Sequence, residues 1–243
     1  MNWTVPPKPA EITEERIIDA ILEGHFPVSS NLPAERELAI QLGITRPTLR
    51  EALQRVASDG WIEIRHGRLT RVRNYWHEGS LGVLGAIARR TQHIPENFIP
   101  NLLQVRILLA PAYTRLAVER DTDQVIANTA ASALLQETAE QYAEFDWRLH
   151  HNLTVASGNP VFTLILNGFR ELYLPMACLY FQASEARLSS RAFSYELELA
   201  AQRHDPEKAE TITRTVMLDS LRLWKLLERD SFHKQHEVIG TIL

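Results

Sequence analysis

Residues 32–73, LPAERELAIQLGITRPTLREALQRVASDGWIEIRHGRLTRVR, decide the fold. Gly43 sits at their punctuation point. Before it, Pro33 at a first helical position, with Leu38 and Leu42 one turn apart, predicts a short helix that the glycine stops. Only Ile44 separates that glycine from Thr45, which can cap a further helix running to about Ala57 on an apolar face of Leu49, Leu53 and Val56. Two short helices joined by so tight a Gly-containing turn form a helix-turn-helix. The next stretch, WIEIRHGRLTRVR (61–73), alternates through Trp61, Ile62 and Ile64, turns at His66-Gly67, and resumes through Leu69 and Val72 as a β-hairpin. Gly60 and Trp61 mark the junction, the indole as a core anchor. Upstream, EITEERIIDAILEG (11–24) gathers Ile17, Ile18, Ile21 and Leu22 on one helical face, with Thr13 as its N-cap and Gly24 as its stop. Helix, helix-turn-helix and hairpin make a winged helix-turn-helix.

Downstream the strand signal all but disappears. Helical periodicity covers about 78–91, 97–119, 123–140, 143–156, 160–182, 186–203 and 206–229, with breakers at His93 to Pro95, Arg120 to Thr122, Ser157 to Pro160 and His204 to Pro206. There is no internal repeat. The expected architecture is mainly α: a winged helix-turn-helix domain over 1–76, a linker around NYWHEGS, and an all-α bundle over 77–243.

Composition is globular, with 45% hydrophobic and 23% charged residues among 243 and only 10 glycines and 12 prolines. The net charge of −4 hides an asymmetry. Between Arg36 and Arg73 stand eight arginines (36, 46, 50, 55, 65, 68, 71 and 73) against Glu37, Glu51, Asp59 and Glu63, a net +4 that leaves −8 for the rest. The single cysteine, Cys178, excludes an intrachain disulfide and any multi-cysteine zinc site, and fits a reducing cytoplasm. MNWTVPPKP at the start is no secretory signal, and no run of roughly 18 apolar residues predicts a membrane span.

Clustered arginines supply the salt-dependent attraction that a duplex binder needs. TRPTLRE (45–51) places Thr45, Arg46, Thr48 and Arg50 at the N-terminus of the third helix, where a recognition helix meets the major groove. Arginine can grip guanine O6 and N7 with two bonds, and threonine can serve phosphate or the thymine methyl. The wing, with Arg68, is placed for the backbone or the neighbouring narrow groove. A solvated basic face on a protein-interaction domain is the competing explanation.

LPAERELAIQLGITRPTLREALQRVASDGWIEIRHG resembles the signature of the GntR family of bacterial winged-helix regulators, and the helical remainder, including EFDWRLHHNLTVASGNPVFTLILNGFRELY (144–173), is similar to the ligand-binding domain of its FadR branch. By matching positions, the resemblance implies DNA contacts from Arg36, Thr45, Arg46, Thr48, Arg50, His66 and Gly67. Pro47 departs from a threonine, removing a hydroxyl and a backbone donor while remaining comfortable early in a helix. The resemblance further implies a homodimer on a palindromic operator.

Regulatory domains of the wider family often hold a metal through an aspartate, a histidine four positions later and two further histidines. Asp146 and His150 fit the first half, but Tyr195 and Leu218 stand where the other histidines are expected, and His151, His204 and His233 are no evident substitutes. A metal-free domain is therefore expected, with no cofactor and, by resemblance, a long-chain fatty acyl-CoA as effector. Such a ligand needs an apolar slot with cationic groups for its phosphates. Residues 160–182 supply Phe162, Leu164, Ile165, Phe169, Tyr173, Met176, Tyr180 and Phe181, a set that composition alone reads as core rather than pocket, because a buried helix looks the same. In TRTVMLDSLRLW (213–224), Ser220 and Trp224 match the branch's acyl-CoA-binding face, Asp219 matches it as a shortened glutamate, and Arg106 and Arg214 match basic positions nearby. Met217 replaces a glycine and narrows the slot. The implied function is repression of fatty-acid degradation, with activation of fatty-acid synthesis, relieved by acyl-CoA. Alternatives are a regulator of the same family that senses a small carboxylate or free fatty acid, and an acyl-CoA-handling enzyme using Ser220, Asp219 or His150 and His151; no nucleophile elbow or Gly-rich phosphate loop supports the latter.

Overall fold

A computed structural model describes residues 7–90, 94 and 97–240, with side chains described up to Arg229. The chain divides into two compact units, residues 1–94 and 95–243.

In the first unit, α1 (Pro9–Leu22) starts before the Thr13 cap expected from the sequence. The ring of Pro9 presets helical φ where a backbone donor would go unused. Lys8 occupies the cap position, its N–H donating to Glu11 Oε2 at 3.0 Å. Thr13 is thus not the cap but a buried helical residue whose hydroxyl donates to the Pro9 carbonyl at 2.7 Å. α2 (Glu35–Leu42) begins two residues after Pro33. The reason is tertiary: residues 29–32 are tied to the wing, Ser29 N–H donating to the Val72 carbonyl (3.0 Å), Val72 N–H to that of Ser30 (2.8 Å), and Leu32 N–H to that of Thr70 (2.8 Å). Gly43 ends α2 in the left-handed region at φ 68°, and Thr45 caps α3 (Arg46–Ser58), its Oγ1 accepting from Thr48 N–H.

The wing is an antiparallel pair, β1 (Ile62–Glu63) and β2 (Arg71–Val72), in the register Ile62 with Val72 and Glu63 with Arg71. Pairing is shorter than the alternation predicts. Trp61, Ile62 and Val72 are buried, whereas Ile64 and Leu69 lie beyond the paired residues and stay exposed. Trp61 joins the core that Ile17, Ile18, Leu49, Leu53 and Val56 build between α1 and α3; each such side chain contributes about 1.5–3 kcal/mol by leaving water.

The linker around 74–80 contains a helical turn, α4 (Tyr75–Glu78), with the Tyr75 ring 4.7 Å from that of Trp61. α5 (Leu81–Ala88) follows, so the helix expected over 78–91 is interrupted at Gly79 and Ser80, where Ser80 caps α5 and its Oγ donates to the Asp59 carbonyl. The boundary read from the sequence at 76/77 falls inside this first unit, because Arg90, just beyond α5, reaches Asp19 of α1 at 2.5 Å. Of the expected breaker at His93 to Pro95, only Ile94 lies within the described residues.

The second unit is helical: α6 (Phe98–Arg120), α7 (Thr122–Ala130), a 3-10 turn (Ala131–Leu134), α8 (Ala139–Ala156), α9 (Pro160–Asn167), α10 (Arg170–Tyr180), α11 (Ser184–Gln202) and α12 (Pro206–Gly240). α12 packs along α6 and α11. Two expected helices are broken. The one over 123–140 stops at Ala130, because Leu134 has no buried seat, at 86% exposure, and Thr138 caps a new helix by accepting from Gln141 N–H. The one over 160–182 divides at Gly168 and Phe169, where Gly168 N–H finds the Leu164 and Ile165 carbonyls. No helix among the described residues is long and apolar enough to cross a membrane.

Candidate DNA-reading face and ligand cavity

α3 buries Leu49, Ala52, Leu53 and Val56 and leaves the residues at its N-terminus outside. Arg46, Arg50 and Thr45 are exposed, and the Thr45 and Thr48 hydroxyls share a hydrogen bond of 2.8 Å. Pro47 occupies the second helical position, whose N–H has no partner within a helix, so it costs the fold nothing. Arg36 is exposed on α2, and His66, Gly67 and Arg68 form the exposed wing tip, with Gly67 at φ 68°.

The local charge is less available than its count implies. Arg55 is engaged by Glu51 (2.9 Å) and Glu11 (3.6 Å), and Arg65 by Glu63 (2.5 Å). Arg71 donates to Ser29 Oγ at 3.0 Å. One participant escapes the sequence reading: Glu35, whose Oε2 accepts from Arg50 Nε at 2.8 Å and lies 4.0 Å from Arg46 Nη2. Fifteen residues separate Glu35 from Arg50, so no local pattern announces the contact.

In the second unit a cavity of about 1160 Å³, its open mouth included, is lined from α6, α8, α9, α10, α11 and α12. It brings together Arg106, Tyr173, Tyr180, Ser220 and Trp224, along with Phe162, Ile165, Phe169, Met176 and Phe181. Apolar residues that composition reads as core therefore line a cavity instead. Leu164 differs, standing 67% exposed. Arg214 and Asp219 are not in the lining; Arg214 pairs with Glu210 at 2.9 Å and Asp219 with Arg222 at 3.6 Å, both within α12. Met217 does line the cavity and packs with Phe193 and Leu197.

Inside the cavity two sets of residues that the sequence treats separately meet. Asp146 lies 3.6 Å from Arg106 Nη2, accepts a hydrogen bond from the Tyr173 hydroxyl, and lies 3.7 Å from His150 Nε2. The Arg106 guanidinium sits 5.0 Å from the centre of the Tyr173 ring, and the Tyr113 hydroxyl is 2.8 Å from His150 Nδ1. Burial pushes His150 down to about 4, against the pull of Asp146, so it is neutral at pH 7. Burial also opposes the charge on Arg106, yet the guanidinium stays protonated, with the Asp146 carboxylate 3.6 Å away. Tyr113 and Tyr173 are raised by burial and stay neutral. Arg106 Nε and His150 Nε2 are buried without a hydrogen-bond partner among the described residues.

Asp146 is thus answered by a guanidinium and a phenol. The described residues contain no group of three or more His, Cys, Asp or Glu placed for a metal. Tyr195 and Leu218 are 62% and 52% exposed, while their buried neighbours are Ser194 and Met217. Ser220 Oγ accepts from the Tyr180 hydroxyl (3.3 Å) and donates to the Val216 carbonyl (2.8 Å), neither of which is a base that could activate it.

Residues 9–72 match the family described as bacterial regulatory proteins, gntR family, and residues 73–235 match the FadR C-terminal domain. The chain is 43% identical over 225 residues to the fatty acid metabolism regulator protein of Shewanella baltica (strain OS185), covering 91% of this chain and 93% of that one. It is 42% identical over 225 residues to the protein of the same name from Shewanella oneidensis, covering 91% and 92%. Among solved structures, Lar, titled as controlling expression of the Listeria monocytogenes agr system, shares the fold with a TM-score of 0.57 at 14% identity, over 90% of this chain and 98% of that one. The matched family is one of regulatory proteins and the Shewanella relatives are named as regulators, which sets aside a catalytic reading of Ser220, Asp219 and the two histidines. From its N-terminal winged helix and its C-terminal helical domain together, the chain belongs to the GntR family of bacterial regulatory proteins and to the group within it that carries the FadR C-terminal domain.

Proposed function

We propose that this protein regulates fatty-acid metabolism in the cytoplasm, binding a palindromic operator as a homodimer and leaving it when long-chain fatty acyl-CoA binds. In this reading it represses degradation genes and activates fatty-acid synthesis. One observation carries it: a chain with an exposed Thr/Arg helix N-terminus also contains an apolar cavity with a cation, Arg106, in its lining. The relatives named as fatty acid metabolism regulators support the same assignment. Arg46 and Arg50 are assigned to base edges, Thr45 and Thr48 to phosphate or the thymine methyl, and Arg36, His66, Gly67 and Arg68 to the backbone. The acyl chain occupies the cavity between Phe162, Phe169, Tyr173, Met176, Tyr180 and Trp224, beside Arg106 and Ser220. Release requires tighter ligand binding to the DNA-incompetent state, since equal affinity for both states shifts nothing.

A gel shift with an operator duplex, run with oleoyl-CoA, oleate and free CoA, tests the proposal. Oleoyl-CoA alone is expected to weaken operator binding at least about tenfold, a coupling of about 1.4 kcal/mol. Unchanged affinity at saturation would overturn acyl-CoA control. A second reading, sensing of a free fatty acid or small carboxylate, is favoured by Arg106, whose Nε has no hydrogen-bond partner among the described residues and whose Nη2 lies 3.6 Å from Asp146. Release by oleate, or by a small carboxylate found in native protein, would select it.

A further inference from the structure

The carboxylate of Glu35 stands among the arginines assigned to DNA. It is the first residue of α2, and its Oε2 bonds Arg50 Nε at 2.8 Å and approaches Arg46 Nη2 at 4.0 Å. The side chains of Arg46 and Arg50 remain 57% and 62% exposed, and that of Glu35 is 33% exposed. Ion pairs this open add little to folding. α2 and α3 already meet through the buried residues Leu38, Ala39, Leu49 and Leu53. A negative charge at this place also opposes DNA phosphates.

Its value therefore lies in what it does to the arginines. Occupying Arg50 Nε leaves the two terminal nitrogens of that guanidinium for a forked bond to one guanine edge. A long side chain ordered before binding loses less freedom on binding. Arg46 and Arg50, drawn toward one oxygen, are also restrained from turning to arbitrary phosphates. Resting on the DNA-reading role proposed above, we infer that Glu35 is a specificity-determining positioning residue, which raises discrimination for the operator through Arg46 and Arg50 and lowers affinity for other duplex DNA.

Glu37, exposed in the same first turn of α2 and with no arginine pair among the described residues, supplies a charge-matched control. The test selects an operator for the wild-type homodimer from a random duplex library, then measures binding to it and to a scrambled duplex at several salt concentrations. Glu35→Gln is expected to raise affinity for the scrambled duplex, steepen its salt slope by about one phosphate contact, and cut the operator-to-scrambled ratio about tenfold. Glu37→Gln should leave the ratio unchanged. Glu35→Asp, which keeps the charge and loses the reach, should lower the ratio without raising scrambled affinity. Adding Glu35→Gln to Arg50→Ala should lower discrimination by less than Glu35→Gln does in the wild-type background, because only its hold on Arg46 is left to lose, and melting temperatures should match wild type throughout. A ratio preserved in Glu35→Gln, or a loss undiminished in the Arg50→Ala background, would overturn the inference while leaving DNA reading intact. Failure of the wild-type protein to enrich any site would overturn the DNA-reading proposal and this inference with it.

Discussion

Arg46 and Arg68 carry like charges but differ in support. Arg46 is the first residue of a capped helix and lies near Glu35, whereas Arg68 stands at the exposed tip of the wing. Arg46→Ala should therefore lose about 1–3 kcal/mol of discrimination between operator and mismatched duplexes. Arg68→Ala should weaken all duplexes alike and reduce the salt slope by about one phosphate contact. Competition binding on matched and scrambled duplexes separates these outcomes, and equal effects would contradict the roles assigned. His150 makes a different demand. Its folded pKa of about 4 lies below the ordinary value of 6.5, so the unfolded chain binds the proton more readily. Stability from this group is complete above pH 6.5 and is lost as pH falls toward 4, by roughly 3 kcal/mol. Urea melts at pH 7 and pH 4.5 should show the loss, and His150→Gln should shrink the difference. Arg46 was legible because a cap and a helix start are local signals. The pairing of Glu35 with Arg50 was not, since it exists only once α2 and α3 are packed.

At the scale of elements, the turn between α2 and α3 was readable because a left-handed residue must end α2 before Thr45 can cap α3. Gly43 holds φ at 68°, and a Cβ there would meet nothing within 4 Å. Gly43→Ala should thus cost about 1–2 kcal/mol through backbone conformation alone, and Gly43→Asn distinctly less; thermal denaturation checks both. The hairpin was legible from alternation, but its length was not. Residues 29–32 pair with the second wing strand, while Ile64 and Leu69 are left exposed. In the helical unit, periodicity ran through the break at Ala131 to Thr138, because Leu134 keeps the helical spacing without having a buried seat. Likewise, the apolar run from Phe162 to Phe181 concealed the division at Gly168, since both segments contribute lining to one cavity.

For the whole molecule, the net charge of −4 averages a basic stretch of +4 and a remainder of −8. The average speaks against a nucleic-acid partner only until the chain is divided. The structure refines that charge further, because Arg55 and Arg65 are already paired with carboxylates. In the function proposed above the ligand occupies the cavity, and Met217, 3% exposed in its lining, takes up part of that space. Met217→Ala should cost about 2–3 kcal/mol of stability. It should also enlarge the rise in melting temperature expected with oleoyl-CoA under the proposed function, because tighter binding to the folded state raises it further; an unchanged rise would show that Met217 does not limit the slot. The sequence by itself determined the winged helix-turn-helix, the helical class of the remainder and the residues at the start of α3, because caps, left-handed glycines and apolar periodicity act over a few neighbouring positions. Only the tertiary structure decided that the apolar side chains of α9 and α10 line a cavity, that Arg106 answers Asp146, and that Glu35 gathers two arginines. Periodicity marks which face of a helix is buried, but whether the facing elements fill the space, and which distant charges meet there, depends on how those elements pack.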